Sequence, residues 1–314
     1  MRLKGNSMGR VHYLALNHLT GLGPKTLRRL IERFGGAAEV LAAAPEVLVE
    51  TPRVTPALAE AIKQAAADLT PFEELLLTLE EGGVWLLCWE DENYPVPLRS
   101  LPDAPLLLYG RGQLSEGDTD AVAIVGSRAA SEAGGRWARR AAVELASRGL
   151  TVVSGFARGV DTAAHWGALE GGGRTLAVLG TGIDRLHPLE NGELAERVAA
   201  QGALLTEFPP GTPPTVGTLM ARDRIVSGLS RAVLVVEAGL SSGSLDTARR
   251  AREQGRGLYA VDWQGTRVDS PGTAQLLSAG ACSLPADLEA VDFDALAEEI
   301  VASRPEDAAQ LSLF

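Results

Sequence analysis

The sequence is poor in cysteine and histidine: its 314 residues include two cysteines and four histidines. Cys88 and Cys282 lie far apart, and no histidine is close to either of them in the sequence. This spacing argues against a zinc site or a disulfide framework and fits the reducing cytoplasm. We therefore expect a cytoplasmic protein without a bound metal.

Long hydrophobic runs are also missing. No apolar stretch is as long as a membrane-spanning helix, and residues 1–10 lack the apolar core of a signal peptide. We therefore expect no membrane partner.

An excess of positive charge is missing as well. Lysine and arginine number 29 against 40 acidic residues, which gives a net charge of −11 and alone argues against a nucleic-acid partner. The acids, however, concentrate in Glu73–Glu92 and Asp287–Asp307. Arginines cluster elsewhere, at positions 136, 139, 140, 222, 224, 249, 250 and 252. The distribution is therefore compatible with a basic face on an acidic protein.

Residues 1–70 predict a small all-α domain. Apolar residues recur at helical spacing on both sides of the segment 19–26, which contains Gly21 and Gly23. This resembles a helix-hairpin-helix or SAM-like turn, which can present backbone N–H groups to a phosphate. An ordinary tight turn in a helical bundle accounts for the same residues.

Residues 71–118 predict a connector with two short strands, near 84–89 and 106–110. Between them, Pro95 and Pro97 argue against a helix over 94–98, because a proline favours an extended conformation in the preceding residue.

From residue 119 onwards, short apolar runs alternate with amphipathic helical stretches. This alternation is typical of a parallel sheet covered on both faces, and we expect a Rossmann-like, doubly wound, mostly parallel α/β domain over 119–286. An acidic helix and a frayed tail should follow over 287–314. The predicted strands cover 121–125, 151–154, 175–179, 203–206, 232–236 and 257–261.

Glycine, serine and arginine follow several of these strands. In open parallel sheets, ligands bind beyond the carboxyl ends of the strands. Gly126, Ser127 and Arg128 follow the first strand, and Gly155 begins the loop after the second. Glycines allow close approach to the backbone, and hydroxyl, helix N-terminal and guanidinium groups suit anionic oxygens. The loops predict a rim that binds phosphates.

Several enzyme classes are disfavoured. The first loop lacks G-x-G-x-x-G and the chain lacks G-x-x-x-x-G-K-[ST], which disfavours a standard NAD or ATP site. Asp161 and His165 share a helix face but have no evident nucleophile, so we interpret Asp161 as a cap and His165 as a packing residue. We expect no cofactor and no catalytic residue. A nucleotide-binding enzyme or sensor that uses the same loops remains the alternative, and a structural adaptor whose arginines pair with acids is a third.

Taken in order, these motifs resemble the DNA-processing protein A family (DprA, also called Smf). The resemblance covers about residues 80–285, and the N-terminal helical region also fits. Its motifs are Val125-Gly126-Ser127-Arg128, Ser154-Gly155-x-Ala157-x-Gly159-x-Asp161-x-x-Ala164-His165, Leu179-Gly180-x-Gly182-x-Asp184, Glu207-x-Pro209-x-Gly211, Arg222-x-Arg224-Ile225-x-x-Gly228-Leu229-Ser230, Val236-Glu237-Ala238 and Ser242-Gly243-Ser244-Leu245-x-Thr247-Ala248.

The resemblance implies a homodimer without catalytic activity that binds single-stranded DNA independently of sequence. Such proteins protect DNA that enters the cell in natural transformation, and they help to load the recombinase RecA past single-strand-binding protein. Arg128 matches the family's phosphate-gripping arginine, and Arg222 and Arg224 match its Arg-Asn-Arg element. The expected DNA-binding residues are Gly126, Ser127, Arg128, Gly155, Phe156, Arg158, Arg222, Arg224 and Ser244.

The chain departs from the family's pattern in several places. Asp223 replaces the middle asparagine, and residues 216–220 lack the usual aromatic and basic side chains. Because stacking is worth about 1–3 kcal/mol per base, binding should depend more on phosphates, with Phe156 as a replacement ring. Val261-Asp262-Trp263 stands where the family has Val-Pro-Gly, and no segment resembles its C-terminal winged helix.

Two further segments predict protein contacts. Residues 245–254 and the neighbouring strand are the expected surface for partner proteins. Gln310–Phe314 weakly resembles the peptide that binds the bacterial sliding clamp, and an exposed amphipathic tail is the favoured interpretation.

Overall fold

The computed structural model describes residues 7–303, and these fall into two compact units. The first unit ends at Arg111 and also contains Glu207–Pro210, while the second contains Gly112–Thr206 and continues from Gly211. The finer division expected at residues 70, 118 and 286 stays a prediction.

The first unit is a helical bundle followed by a pair of antiparallel strands. Several of its helices begin with proline, whose missing N–H is not needed in a first turn. At α5, for example, Pro56 follows Thr55, whose hydroxyl accepts a hydrogen bond from Leu58 N at 3.2 Å. The elements are α1 (Ser7–Asn17), α2 (Pro24–Phe34), α3 (Ala37–Ala42), α4 (Pro45–Leu48), α5 (Pro56–Ala67), α6 (Thr70–Glu81), β1 (Trp85–Cys88), α7 (Val96–Arg99) and β2 (Leu107–Gly112).

The expectation that residues 94–98 cannot be helical is wrong. Val96–Arg99 forms one helical turn, α7, in which Pro95 is the N-cap and Pro97 lies in the first turn. The proline rings do not clash there, because no preceding turn exists and no backbone donor is required.

Within the described residues, the second unit contains seven parallel strands, and the six predicted from the sequence are all present. Every residue of the strands from β3 to β7 is buried, which explains their uninterrupted apolar runs. The strands are β3 (Ala121–Val125), β4 (Thr151–Ser154), β5 (Thr175–Val178), β6 (Ala203–Thr206), β7 (Ala232–Val235), β8 (Gly257–Asp262) and β9 (Cys282–Pro285).

Helices connect these strands and pack on the sheet. Trp137 on α8 lies in the core, and its indole Nε1 donates to Pro285 O at 3.0 Å. The helices are α8 (Glu132–Ser147), α9 (Val160–Glu170), α10 (Gly192–Gln201), α11 (Val216–Leu229), α12 (Gly243–Glu253), α13 (Pro271–Ser278) and α14 (Phe293–Ala302). No helix within residues 7–303 is long and apolar enough to cross a membrane.

The strand order in this unit is β6-β5-β4-β3-β7-β8-β9. The chain therefore advances in one direction from β3 to β6 and then returns to the other side of β3, so the order reverses between β3 and β7. Loops diverge at such a point and leave a crevice beyond the carboxyl ends of the strands. We call the loops after β3, β4, β5 and β7 the carboxyl edge, residues 126–131, 155–159, 179–191 and 236–242.

Candidate nucleic-acid interface

The loop after β3 brings Arg128 to the surface. Arg128 is exposed and forms no hydrogen bond or ion pair within the part of the chain that the structure describes. Gly126 packs tightly beneath it, since a Cβ there would lie 2.6 Å from the Val160 side chain and 2.9 Å from Glu237 O. The backbone of this loop is thus closely packed, and the guanidinium group of Arg128 is available to bind an external anion.

A buried carboxylate, Glu237, holds the same loop from β7. Glu237 is 7% exposed, and its Oε1 and Oε2 accept hydrogen bonds from Ser131 N at 3.1 and 3.0 Å. The Ser131 hydroxyl also donates to Oε2 at 2.7 Å. Rossmann-like folds bind a ligand phosphate at the N-terminus of the first helix, and in this chain a protein carboxylate lies there instead.

The loop after β4 contains Phe156, a residue in the left-handed region at φ 63°. Asp161 accepts hydrogen bonds from Gly155 N at 3.1 Å and Ala157 N at 3.3 Å, and Asn191 Nδ2 donates to Phe156 O at 3.3 Å. Burial raises the pKa of Asp161, while Arg222 and these hydrogen bonds oppose the rise. Two backbone N–H groups of this turn, those of Gly155 and Ala157, are therefore bonded to a carboxylate within the protein.

Phe156 does not offer a stacking surface in this structure. Its ring is fully buried, 5.8 Å from the ring of His165. The expectation that Phe156 replaces the missing aromatic side chains is therefore wrong. The ring is apolar, and burying it away from water stabilises the protein.

His165 lies behind the same turn, as the packing interpretation expected. It is fully buried, its Nδ1 lies 2.6 Å from Thr175 Oγ1, and burial lowers its pKa to about 3. The imidazole is therefore neutral at physiological pH.

Arg158 is the second exposed arginine of the carboxyl edge. Its guanidinium forms an ion pair with Glu190, and both side chains are more than half exposed. The hydrogen bond from Arg158 holds the pKa of Glu190 well below its usual range. An exposed pair of this kind exchanges partners at low cost, so Arg158 can turn to a phosphate.

Arg222 lies inside the protein and not on an exposed rim. It is 4% exposed, donates through Nη1 to Gly155 O and to Val178 O at 2.7 Å, and donates through Nε to Asp223 Oδ1 at 3.0 Å. Gly155 makes room for it, because a Cβ there would overlap Nη1. Arg222 lies on α11, which begins at Val216 with Thr215 and Thr218 as its capping box.

Asp223 follows Arg222 at the buried junction of α11 and α12. Burial raises its pKa to about 7, and Asp161 and Asp246 add to the rise while Arg222 opposes it. The carboxyl group lies close to the start of α12, with Oδ2 4.0 Å from where a Gly243 Cβ would be.

The two remaining predicted residues are also buried. Arg224 is 4% exposed and donates to Ala221 O at 2.7 Å, and Ser244 is 6% exposed with its hydroxyl 2.7 Å from that of Ser242. The structure thus groups Gly126, Ser127, Arg128 and Arg158 at the surface, whereas Gly155, Phe156, Arg222, Arg224 and Ser244 lie beneath it.

Apolar side chains that the sequence reasoning missed are exposed near the same edge. Leu189 is 80% exposed and Leu240 67%, in the loops after β5 and β7. Val216 and Met220, at the start of α11, are 76% and 44% exposed. Leu219, between them, lies against Gly180 at the end of β5, so this part of α11 borders the edge.

Comparisons with known proteins agree with this architecture. The model of the DNA recombination-mediator protein A family matches residues 85–292, and that of a SAM-like helix-hairpin-helix tandem matches 13–68. Protein Smf of Synechocystis is 37% identical over 274 residues, which cover 86% of this chain and 69% of the relative.

Two solved structures are similar as well. DNA processing protein A of Streptococcus pneumoniae is 31% identical with a TM-score of 0.74, over 90% of this chain and 95% of that one. DNA processing protein A of Helicobacter pylori, described in a single-stranded DNA binding mode, is 30% identical with a TM-score of 0.60, over 69% and 95%.

Proposed function

The chain belongs to the DNA recombination-mediator protein A family, and from this premise we propose that it binds single-stranded DNA, independently of sequence, along the carboxyl edge. The observation that carries the proposal is Arg128, an exposed cation at the reversal between β3 and β7 with no partner in residues 7–303. The single-stranded DNA binding mode of the Helicobacter pylori relative supports the same ligand.

Phosphate contacts supply the binding energy that does not depend on sequence. Arg128 and Arg158 are the exposed guanidinium groups, and Ser127 adds a hydroxyl beside them. Gly155, Phe156 and Arg222 act from beneath, by fixing the turn after β4 that carries Arg158, whereas Arg224 and Ser244 are buried in α11 and α12.

Apolar contacts account for a preference for single strands. Val216 and Met220 on α11, which borders the carboxyl edge, and Leu240 within the edge expose apolar surface, and only an unpaired strand offers base faces to such side chains. The bases then rest on aliphatic side chains in place of aromatic ones.

Two positions where a nucleotide phosphate could bind are occupied by carboxylates of the protein, which argues against a small nucleotide as the ligand. Glu237 lies at the N-terminus of α8, and Asp161 accepts from Gly155 N and Ala157 N in the turn after β4. A nucleotide phosphate would have to displace a buried carboxylate at either position. This supports a role in binding without catalysis over the alternative of a nucleotide-binding enzyme or sensor.

In the cell, the proposed role is to protect incoming single strands in the cytoplasm during natural transformation and to help load RecA onto them past single-strand-binding protein. A homodimer is the proposed functional state, with α12 and the neighbouring β8 as the surface for partner proteins. The sliding-clamp motif at Gln310–Phe314 lies outside the described residues and stays a prediction.

Fluorescence anisotropy tests the DNA ligand directly. Labelled oligo(dT) and a mixed-sequence strand should bind alike, a duplex of equal length should bind more weakly, and affinity should fall as salt rises. If thymidine monophosphate displaces the labelled strand when its concentration equals that of the phosphate groups in the strand, the nucleotide-binding alternative is favoured instead. Absent or salt-independent binding would favour the structural adaptor.

A further inference from the structure

We propose that Glu237 is the positioning residue of the Arg128 loop, the segment Gly126–Ser131, and that this acidic side chain strengthens DNA binding. The inference rests on the proposed function, since Arg128 is taken to contact phosphate. Glu237 itself touches no DNA in this proposal and acts by fixing the loop.

Glu237 holds the Arg128 loop at both ends. Its carbonyl oxygen accepts from Ser127 N at 2.7 Å, and its carboxylate accepts from Ser131 N and the Ser131 hydroxyl. Arg128 lies between these two attachment points. A residue held on either side loses backbone freedom before binding, so less entropy is lost when it meets a phosphate.

The packing around Glu237 shows that this arrangement is built into the fold. A Cβ on Gly134 would overlap Glu237 Oε2, and one on Gly126 would lie 2.9 Å from Glu237 O. Ser131 is the N-cap of α8 and accepts from Gly134 N at 3.0 Å, so the carboxylate, the cap and the helix form one hydrogen-bonded unit.

The charge of Glu237 is compensated locally. The carboxylate lies at the N-terminus of α8, where the helix dipole favours an anion, and it is almost fully withdrawn from solvent. The carboxylate therefore repels DNA only weakly, and the gain in binding from a fixed Arg128 loop outweighs this repulsion.

Glu190 is an acidic residue that serves as a control for Glu237, because its environment differs. It belongs to the same carboxyl edge, but it is half exposed and pairs with Arg158, a proposed phosphate contact. Removing the Glu190 carboxylate leaves Arg158 available to a phosphate, whereas removing the Glu237 carboxylate makes the Arg128 loop more mobile. The two acids should therefore change DNA affinity in opposite directions.

The test compares Glu237→Ala, Glu237→Gln and Glu190→Ala in the full chain by anisotropy with oligo(dT). Loss of hydrogen bonds to a charged group predicts a roughly tenfold weaker affinity for Glu237→Ala, a smaller loss for Glu237→Gln and a gain for Glu190→Ala. Formate should partly restore binding by Glu237→Ala, relative to chloride at equal ionic strength, because it can occupy the vacated position. A gain in affinity for both Glu237 variants would overturn the inference.

Amide hydrogen exchange without DNA separates this inference from the proposed function. The amide of Ser131 should exchange faster in Glu237→Gln, which keeps the shape of the side chain if Glu237→Ala fails to fold. The amide of Ser127 keeps its main-chain acceptor, Glu237 O, and is the internal reference. Unchanged exchange and unchanged affinity would show that Glu237 does not position the loop. Faster exchange in a protein whose wild type binds no DNA would retain the positioning role and reject the DNA ligand.

Discussion

Arginines of similar appearance in the sequence have different environments in the structure. Arg128 and Arg158 are exposed, whereas Arg222 and Arg224 are 4% exposed. Residue type alone could not separate them, because burial depends on which loop or helix of the fold carries each side chain. The environments imply separate roles, contact with phosphate and support of the loops.

Replacing Arg128 by alanine should weaken binding to all single strands alike. The loss of one phosphate contact lowers the slope of log K against log salt by about 0.7 in single strands. Titrations of oligo(dT) across salt concentrations measure this slope. Arg140→Ala, an exposed arginine in the middle of α8 paired with Glu144, is the control and should leave the slope unchanged.

Arg222→Met should weaken DNA binding without changing that slope. Arg222 donates to Gly155 O and Val178 O, so its loss loosens the turn after β4 but removes no phosphate contact. The same titrations, run below the melting temperature of the variant, distinguish the two effects. A slope reduced as in Arg128→Ala would mean that Arg222 reaches the DNA.

Asp223→Asn should stabilise the protein, and more so as pH rises. Burial raises the pKa of Asp223 from 3.8 to about 7. Below pH 3.8 both folded and unfolded chains are protonated; between the two values the unfolded chain ionises first, so the wild type loses stability up to about pH 7. At about 1.4 kcal/mol per pKa unit, the advantage of the variant should reach about 2–4 kcal/mol at neutral pH.

Urea unfolding at several pH values measures this advantage. Asp269→Asn, at an exposed position before α13, is the control and should show no growing advantage. An Asp223→Asn variant whose advantage is the same at pH 4 and at pH 8 would contradict the prediction.

At the scale of elements, the sequence predicted the strands that are buried on both faces. A strand that is buried on both faces needs apolar side chains at every position, so its burial can be predicted from an uninterrupted apolar run. The strand β9 was not predicted, because its burial is limited to Leu284 and its other residues are exposed. The turn α7 was excluded wrongly, because a proline disfavours the interior of a helix but not its first turn.

The packing of α8 against α9 depends on a glycine. A Cβ on Gly167 would overlap Arg139 O, so Gly167→Ala should destabilise the protein by about 1–3 kcal/mol despite the better helix propensity of alanine. Gly135→Ala is the matched control, because a Cβ there meets nothing within 4 Å. It should stabilise α8 by about 0.5–1 kcal/mol. Denaturant unfolding measures both, and equal effects would show that the helices do not rely on this contact.

At the scale of the whole molecule, the net charge of −11 opposes the approach of DNA, although the arginines attract it at close range. Added salt screens both forces. We expect the association rate constant to change little as salt rises, while the dissociation rate constant increases. Stopped-flow anisotropy measures the two constants.

Charge reversal on α6, in the first unit, provides the control for this prediction. Glu73→Lys with Glu74→Lys, both exposed on α6, should raise the association rate constant at low salt and leave dissociation unchanged. An association rate that falls steeply with salt in the wild type would mean that the arginines already dominate the distant field.

The shared position of the glycine and arginine loops was predictable from the sequence, but the burial of their side chains was not. Glycines and arginines after successive strands must share one edge of a parallel sheet, so the rim could be predicted from order alone. The anchoring by Glu237 could not, because it joins residues 106 positions apart in the sequence. Nor could the burial of Phe156, which depends on how α9 and Asn191 close over the turn.

That separation also sets when the Arg128 loop acquires its form during synthesis. A growing chain that has just added Ser131 still lacks Glu237, which comes 106 residues later. At roughly 5–20 residues per second, the ribosome needs about 5–20 s to add them. Until then β3 has no β7 beside it and the loop has no anchor, so the Arg128 loop reaches its final form only after most of the sheet has been made.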